Sequence, residues 1–412
     1  MREELFSADW DVVKRLLPGD WEASARQCGA LRRSRNVASA ETLLRLILLH
    51  VAGGLSLRQT VVRAQVFGWA SLSDVALLKR LRASANWLES LCWGMWSSWD
   101  WPAGVAQGRR WRIVDATTAQ EPGATGIDWR VHYVVGLPSL GCEFVSVTSF
   151  RGAETLCRIP VRPADVLLAD RGYSHRAGVD WVLSQKADVI VRHNGPSFPL
   201  LDSQGKDFDL LGALRSLHQH EPGTWKVKFE YQERTWAVWL HAVRKSTAAA
   251  QHAKEVLRKE RGASVQPQTL ELAEYVVVLT SLNPRAVRAL SVLGLYRGRW
   301  QIELVFKRLK SLLGVGELAK YDEDSAKAWL QAKLLTALLM ERLEREAFLF
   351  SPWGYPLLGK VALAGVSGTE RQLPAGRGAG FNPEATSEAW PSPETETEGT
   401  PPQASGTDES IS

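Results

Sequence analysis

An α/β fold built on a mixed sheet is predicted by three observations. Residues 109–115 alternate sides with period two, and 129–135 and 142–150, joined through a glycine-bounded turn at 136–141, read as a hairpin. Residues 165–169 and 189–193 are short apolar runs of the kind that make buried strands, with a helical stretch, 177–186, between them. Residues 296–310 and 326–343 repeat their apolar positions every three to four residues, as helices packed on a sheet do.

The chain opens with helical segments near 9–17, 40–53, 56–67, 72–83 and 86–96, and Ser39, Ser56 and Ser73 are placed to cap three of them. Basic residues on these segments include Arg32, Arg33, Arg35, Arg58, Arg63, Lys79, Arg80 and Arg82. Segments 56–67 and 72–83 can form a helix-turn-helix-like unit that contacts DNA; a helical packing module with solvated charges is the other reading.

The strand RRWRIVD places Asp115 on the same side as Trp111 and Ile113. An acid beside two core residues is costly unless it is paired or bound to a metal, though Asp115 can also open a turn into 116–120. Asp170 ends the apolar run DVLLA, at the strand end where open α/β sheets hold ligands. Alternatively it caps the turn that follows, with Gly172 supplying backbone freedom.

In YRGRWQIELVFKRLK, Tyr296, Arg299, Glu303, Lys307 and Lys310 fall on one helical stripe, at about 100° per residue. Ile302, Val305, Phe306, Leu309 and Leu313 form the adjacent apolar stripe. Such a set can place a metal ion on the carboxylate, phosphate oxygens on the cations, and an orienting hydroxyl beside both. Taken alone, the same stripe is an amphipathic helix with surface ion pairs four residues apart.

Together the three acids resemble the Asp, Asp, Glu set of RNase H-like nucleotidyl transferases. The spacing of Tyr296, Arg299, Glu303 and Lys310 matches the signature of a large group of bacterial DDE transposases encoded by insertion sequences. YRGRWQIELVFKRLKSLLG, ADRGY around Asp170, RIVDAT around Asp115 and the helical text LSLRQTVVRAQVFGWASLSDVALLKRL are similar to corresponding regions of that group, and the resemblance spans residues 35–345. It implies an RNase H-like mixed-sheet core with a β-rich insertion domain and a helical N-terminal domain. The expected segments are 1–108 helical and DNA-end-binding, 109–194 core, 195–274 insertion, 275–350 core with C-terminal helices, and 366–412 tail.

The resemblance further implies that Asp115, Asp170 and Glu303 ligate two divalent ions, Mg²⁺ or Mn²⁺, and that Tyr296, Arg299 and Lys310 contact DNA phosphates. Lys307 joins that DNA-binding set from the same helical stripe. The implied activity is cleavage at terminal inverted repeats and transfer of 3′-hydroxyl ends to target DNA, by a homodimer in the DNA complex, in the bacterial cytoplasm and at the nucleoid when DNA-bound. An RNase H-like nuclease or resolvase without strand transfer, and a silent DNA-binding remnant, are the alternatives. In the group, an insertion-domain aromatic can stack on a flipped base; Trp225, Trp236 and Trp239 are the candidates among 18 tryptophans, with core packing as the competing role.

Composition agrees. The whole chain carries +5, but from Gln372 onward one cation faces seven acids, so residues 1–371 carry +11, in keeping with a polyanionic partner. The four cysteines form no CxxC pair, which argues for a reducing compartment and against a zinc site. His218 and His220 lack a third ligand at suitable spacing. Residues 43–51 are too short, and contain Arg45, to span a membrane; the acidic amino terminus is no signal peptide; and without a G-x-x-x-x-G-K-[ST] loop no nucleotide cofactor is expected. Beyond 366 the chain is rich in Pro, Gly, Ser, Thr and Glu, the composition of a disordered tail.

Overall fold

Among the described residues, nine strands form a single mixed sheet: β1 (Val105–Ala106), β2 (Arg109–Ala119), β3 (Trp129–Gly136), β4 (Cys142–Ser149), β5 (Asp165–Ala169), β6 (Asp188–Arg192), β7 (Gly223–Tyr231), β8 (Arg234–Arg244) and β9 (Tyr275–Thr280). The computed structural model describes residues 10–32, 36–97, 105–106, 108–121, 129–218, 221–262, 265–318 and 322–349. The tail expected at 366–412, together with Arg33, Arg35 and His220, lies outside the described residues.

The strand order is β4-β3-β2-β5-β6-β9-β8-β7, with β1 on the start of β2. β2, β3 and β4 form an antiparallel meander, whereas β5 pairs parallel with β2 and β6 parallel with β5. Renumbered within those five strands the order is 3-2-1-4-5, the RNase H-like arrangement. Burial explains the composition: all five residues of β5 and all six of β9 are buried, so both are apolar except at Asp165, which pairs with Arg110 and Arg112, and at Thr280. β9 then pairs antiparallel with β6, and the β7–β8 hairpin continues the same sheet.

Two units are distinguished. The first, Met1–Leu210, Pro222–Ala242 and Val277–Gln372, contains all the residues considered below as the candidate site. Within the second, Leu211–Glu221 and Val243–Val276, Arg215 makes a bidentate pair with Glu271 at 2.7 and 2.8 Å, and Glu274 accepts from both Arg244 and Lys254.

The amino-terminal segments are helical as their patterns predict, and Ser39, Ser56 and Ser73 cap the helices Ala40–Val51, Leu57–Val66 and Asp74–Ala83. Ser56 forms a full capping box with Gln59. The last helix, Glu323–Leu349, is longer than the apolar pattern at 326–343 suggests. It ties the amino-terminal helices to the sheet: Arg342 donates to the Met95 carbonyl at 2.8 Å, Arg82 to Asp322 at 2.8 Å, and the Cys142 amide to Glu341 at 3.0 Å. Burial pushes the Glu341 carboxyl up to about 7, against the Cys142 amide that lowers it. Among the described residues, no helix is long and apolar enough to cross a membrane.

Candidate active site

Parallel pairing brings the first two acids together. Val114 is in register with Ala169, so Asp115 and Asp170 come next on adjacent strands running the same way. Asp115 does not open a turn: β2 continues to Ala119, because Thr117 and Ala119 are held by Val131 and Trp129 of β3. Asp170 lies one residue beyond β5, where its Oδ1 accepts from the Arg171 amide at 2.6 Å.

The third acid arrives on a helix that starts later than expected. A helix over Ala289–Arg297 is followed by a 3₁₀ turn, Gly298–Trp300, and then by Gln301–Leu313. The backbone stays right-handed through the join, so Tyr296, Arg299 and Glu303 still converge although they do not share one α-helix. Ile302, Phe306 and Leu309 are the buried face, and Phe306 meets Tyr133 edge-on at 6.3 Å. Tyr133 is the direct β3 partner of Asp115, so the apolar contact that seats the helix is one strand away from the acid.

The helix is also tied down at its far end. Gly314 takes the left-handed conformation, φ 59°, that closes the helix, and Lys333 donates to the Leu313 and Gly314 carbonyls. Immediately afterwards the Leu318 amide donates to the Gln120 carbonyl at 2.9 Å, pinning the segment to the end of β2.

Arg299 stands between the acids. Its Nη1 donates to Asp115 Oδ2 at 2.8 Å, its Nη2 to Glu303 Oε1 at 3.1 Å, and Asp170 Oδ2 is 3.9 Å away. Tyr296 Oη donates to Asp170 Oδ1 at 3.1 Å. The side chain of Asp115 is 18% exposed, against 39% for Asp170 and 47% for Glu303. Burial accordingly raises the Asp115 carboxyl to about 6, with Arg299 and the Ala116 amide opposing and Asp170 and Glu154 adding. Burial, with Asp170 beside it, pushes the Tyr296 phenol up, so it remains a donor at neutral pH.

Lys307 and Lys310 are exposed further along the Glu303 helix and are not part of this tight cluster. Trp236 is engaged elsewhere, donating to buried Asp180 at 2.8 Å; Trp239 lies under Lys226 and Trp225 near Phe208. Sequence reasoning did not single out Glu154, Tyr173 or Lys333. Tyr173 stands three residues after Asp170 inside ADRGY without a pattern to mark it, Glu154 meets the Gly172 turn only in the folded chain, and Lys333 acts at the far end of the Glu303 helix.

Comparison with known proteins gives the family. Residues 140–339 match the family described as Transposase DDE domain. The transposase InsL of insertion sequence element IS186A from Escherichia coli K12 is 37% identical over 348 residues, covering 81% of this chain and 93% of that protein. The transposase for insertion sequence element IS421 of Escherichia coli is 37% identical over 349 residues with the same coverage. A cryo-EM structure of a piggyBac transposase synaptic complex with hairpin DNA covers 85% of this chain at 9% identity, but its TM-score of 0.36 is too low to support the fold, which rests on the strand order. The chain belongs to the bacterial insertion-sequence DDE transposases, metal-dependent enzymes that act on DNA.

Proposed function

We propose that the chain cleaves DNA at the terminal inverted repeats of its element and joins the freed 3′-hydroxyl ends to target DNA, with Asp115, Asp170 and Glu303 holding two divalent ions, Mg²⁺ or Mn²⁺. The observation that carries this reading is the convergence of three carboxylates on the single guanidinium of Arg299. When all three are ionised they leave two negative charges in excess, and their donors are all oxygen, the set that suits hard divalent cations. As the side chains lie, no three acidic, His or Cys groups among the described residues are close enough to hold an ion together. The guanidinium stands between them, so it competes with the ions for the carboxylates, and a phosphate, a ligand it fits bidentately, would draw it aside.

The ions supply activation of the attacking hydroxyl or water and charge neutralisation at the leaving oxygen. The chain's own residues do the rest. Tyr296 and the Arg171 amide fix one oxygen of Asp170, leaving Oδ2 for a ligand. Lys307 and Lys310, exposed beyond Glu303, meet the DNA backbone. We assign residues 1–108 to end binding, 109–194 and 275–350 to the core and 195–274 to the insertion. The active species is a homodimer on DNA, with no nucleotide cofactor, working in the cytoplasm at the nucleoid. The helix Leu57–Val66 suits end binding, since it exposes Val62 and Val66 together with Arg58 and Arg63.

A plasmid carrying the element's ends tests the proposal. Mg²⁺-dependent cleavage and joined products are expected from the wild-type chain and neither from Asp115→Ala. Cleavage without joining selects a nuclease; end binding without either reaction selects a silent remnant.

A further inference from the structure

We infer that Glu154 is a fourth carboxylate of the catalytic centre, a positioning residue that clamps the Asp170 turn to β3 and strengthens ion binding there. The inference deepens the proposed function and rests on its assignment of Asp115 and Asp170 to the ions.

Gly172, two residues after Asp170, provides the first observation. The expected reason for a glycine here is backbone freedom, yet its φ lies outside the positive range in which only glycine is at ease. What it supplies is room. A Cβ at this position would lie 2.1 Å from Glu154 Oε2, so the carboxylate sits directly against the Gly172 backbone.

The other oxygen, Oε1, lies 3.5 Å from Arg130 Nε on β3, and Arg130 Nη1 donates to the Gly152 carbonyl at 2.7 Å. Glu154 therefore bridges the central meander and the turn that carries Asp170. Its charge also acts on Asp115, as one of the smaller contributions that raise that carboxyl after burial and Asp170.

The second observation is Tyr173. Its side chain is fully buried, and its hydroxyl makes no hydrogen bond among the described residues. Burial pushes this phenol up, and the charges of Asp115 and Glu154 push it further. An unpartnered buried hydroxyl on the turn that Glu154 contacts is suited to an ordered internal water, and Glu154 acts on the ion site through that turn, without direct ligation. Removal of such an outer partner weakens metal binding by about tenfold or more.

Mn²⁺ titration of the full chain by calorimetry tests the inference, with circular dichroism confirming the fold of each variant. Asp170→Asn is expected to abolish binding, and Glu154→Gln, which keeps the shape, to weaken it about tenfold. Unchanged binding in Asp170→Asn removes the metal assignment itself. Loss in Asp170→Asn with wild-type affinity in Glu154→Gln overturns only the role of Glu154. A second pair reads the clearance: Gly172→Ala is expected to weaken binding alone, yet to add nothing when Glu154→Ala is already present. Additive effects of the two changes overturn the clamp.

Discussion

Arg299 and Asp115 are joined by a 2.8 Å hydrogen bond between side chains that are 15% and 18% exposed, across 184 residues of sequence. The pair stabilises an ionised Asp115 that burial disfavours, and the same guanidinium occupies the space between the acids. Arg299 therefore holds the acids in place and competes with the ions.

Arg299→Gln is expected to raise the Mn²⁺ affinity of the DNA-free chain, since a competing cation is lost, while reducing DNA cleavage by about 100-fold because a phosphate clamp is lost. Calorimetry beside a cleavage assay reads both. Weaker ion binding in the variant would show that Arg299 supports the ions instead of opposing them.

Tyr296→Phe removes one of the two donors to Asp170 Oδ1 and leaves the Arg171 amide. A stability loss of about 1 kcal/mol is expected in urea unfolding, because one hydrogen bond to a half-exposed carboxylate disappears. Cleavage should fall more steeply than stability, as Asp170 loses its fixed orientation. An unchanged cleavage rate would remove Tyr296 from the site.

Lys333→Met should destabilise the chain by about 1–3 kcal/mol, since the Leu313 and Gly314 carbonyls lose their buried donor. The helix carrying Glu303 loosens at its far end, so hydrogen exchange at 309–314 should accelerate before exchange in β5 does. Equal acceleration everywhere would mean a global effect only.

Acid stability sets two groups of residues against each other. His132 and His241 are fully buried, and burial lowers them to about 3 and about 4, so the stability they contribute is complete above about pH 6.5 and is lost as pH falls toward those values. Asp115 acts oppositely: raised to about 6, it contributes stability below its unfolded value of 3.8 that is lost as pH rises through about 6. Glu341, raised to about 7, acts as Asp115 does, so between about pH 4.5 and 6 two histidines and two carboxyls offset each other and stability is expected to change little, by less than about 1.4 kcal/mol across the window. Urea midpoints across that window check the balance, and His132→Asn should tip it, so that the variant gains stability relative to wild type as pH falls.

The strands were legible because their burial is regular. The run 165–169 is β5 residue for residue, and the hairpin at 129–135 and 142–150 is β3 and β4 within one residue at each end. Asp115 was harder, since Asp-Ala-Thr-Thr has turn chemistry; only the pairing with β3 keeps it extended through Ala119. The periodicity of 296–310 located Tyr296, Arg299 and Glu303 together but could not show the 3₁₀ turn at Gly298–Trp300, where no residue is buried to mark the break. Gly172 carries no local sign that the side chain of Glu154, far upstream in the sequence, fills the space over its α-carbon.

Iron-directed self-cleavage tests the central claim most directly. Fe²⁺ with ascorbate and peroxide cuts a polypeptide beside bound ions, and the account predicts cuts clustered near Asp115, Asp170 and Glu303, suppressed by Mg²⁺ and absent in Asp170→Asn. Cuts that fall elsewhere, or that persist unchanged in Asp170→Asn, would contradict the assignment of these three acids to the metal ions.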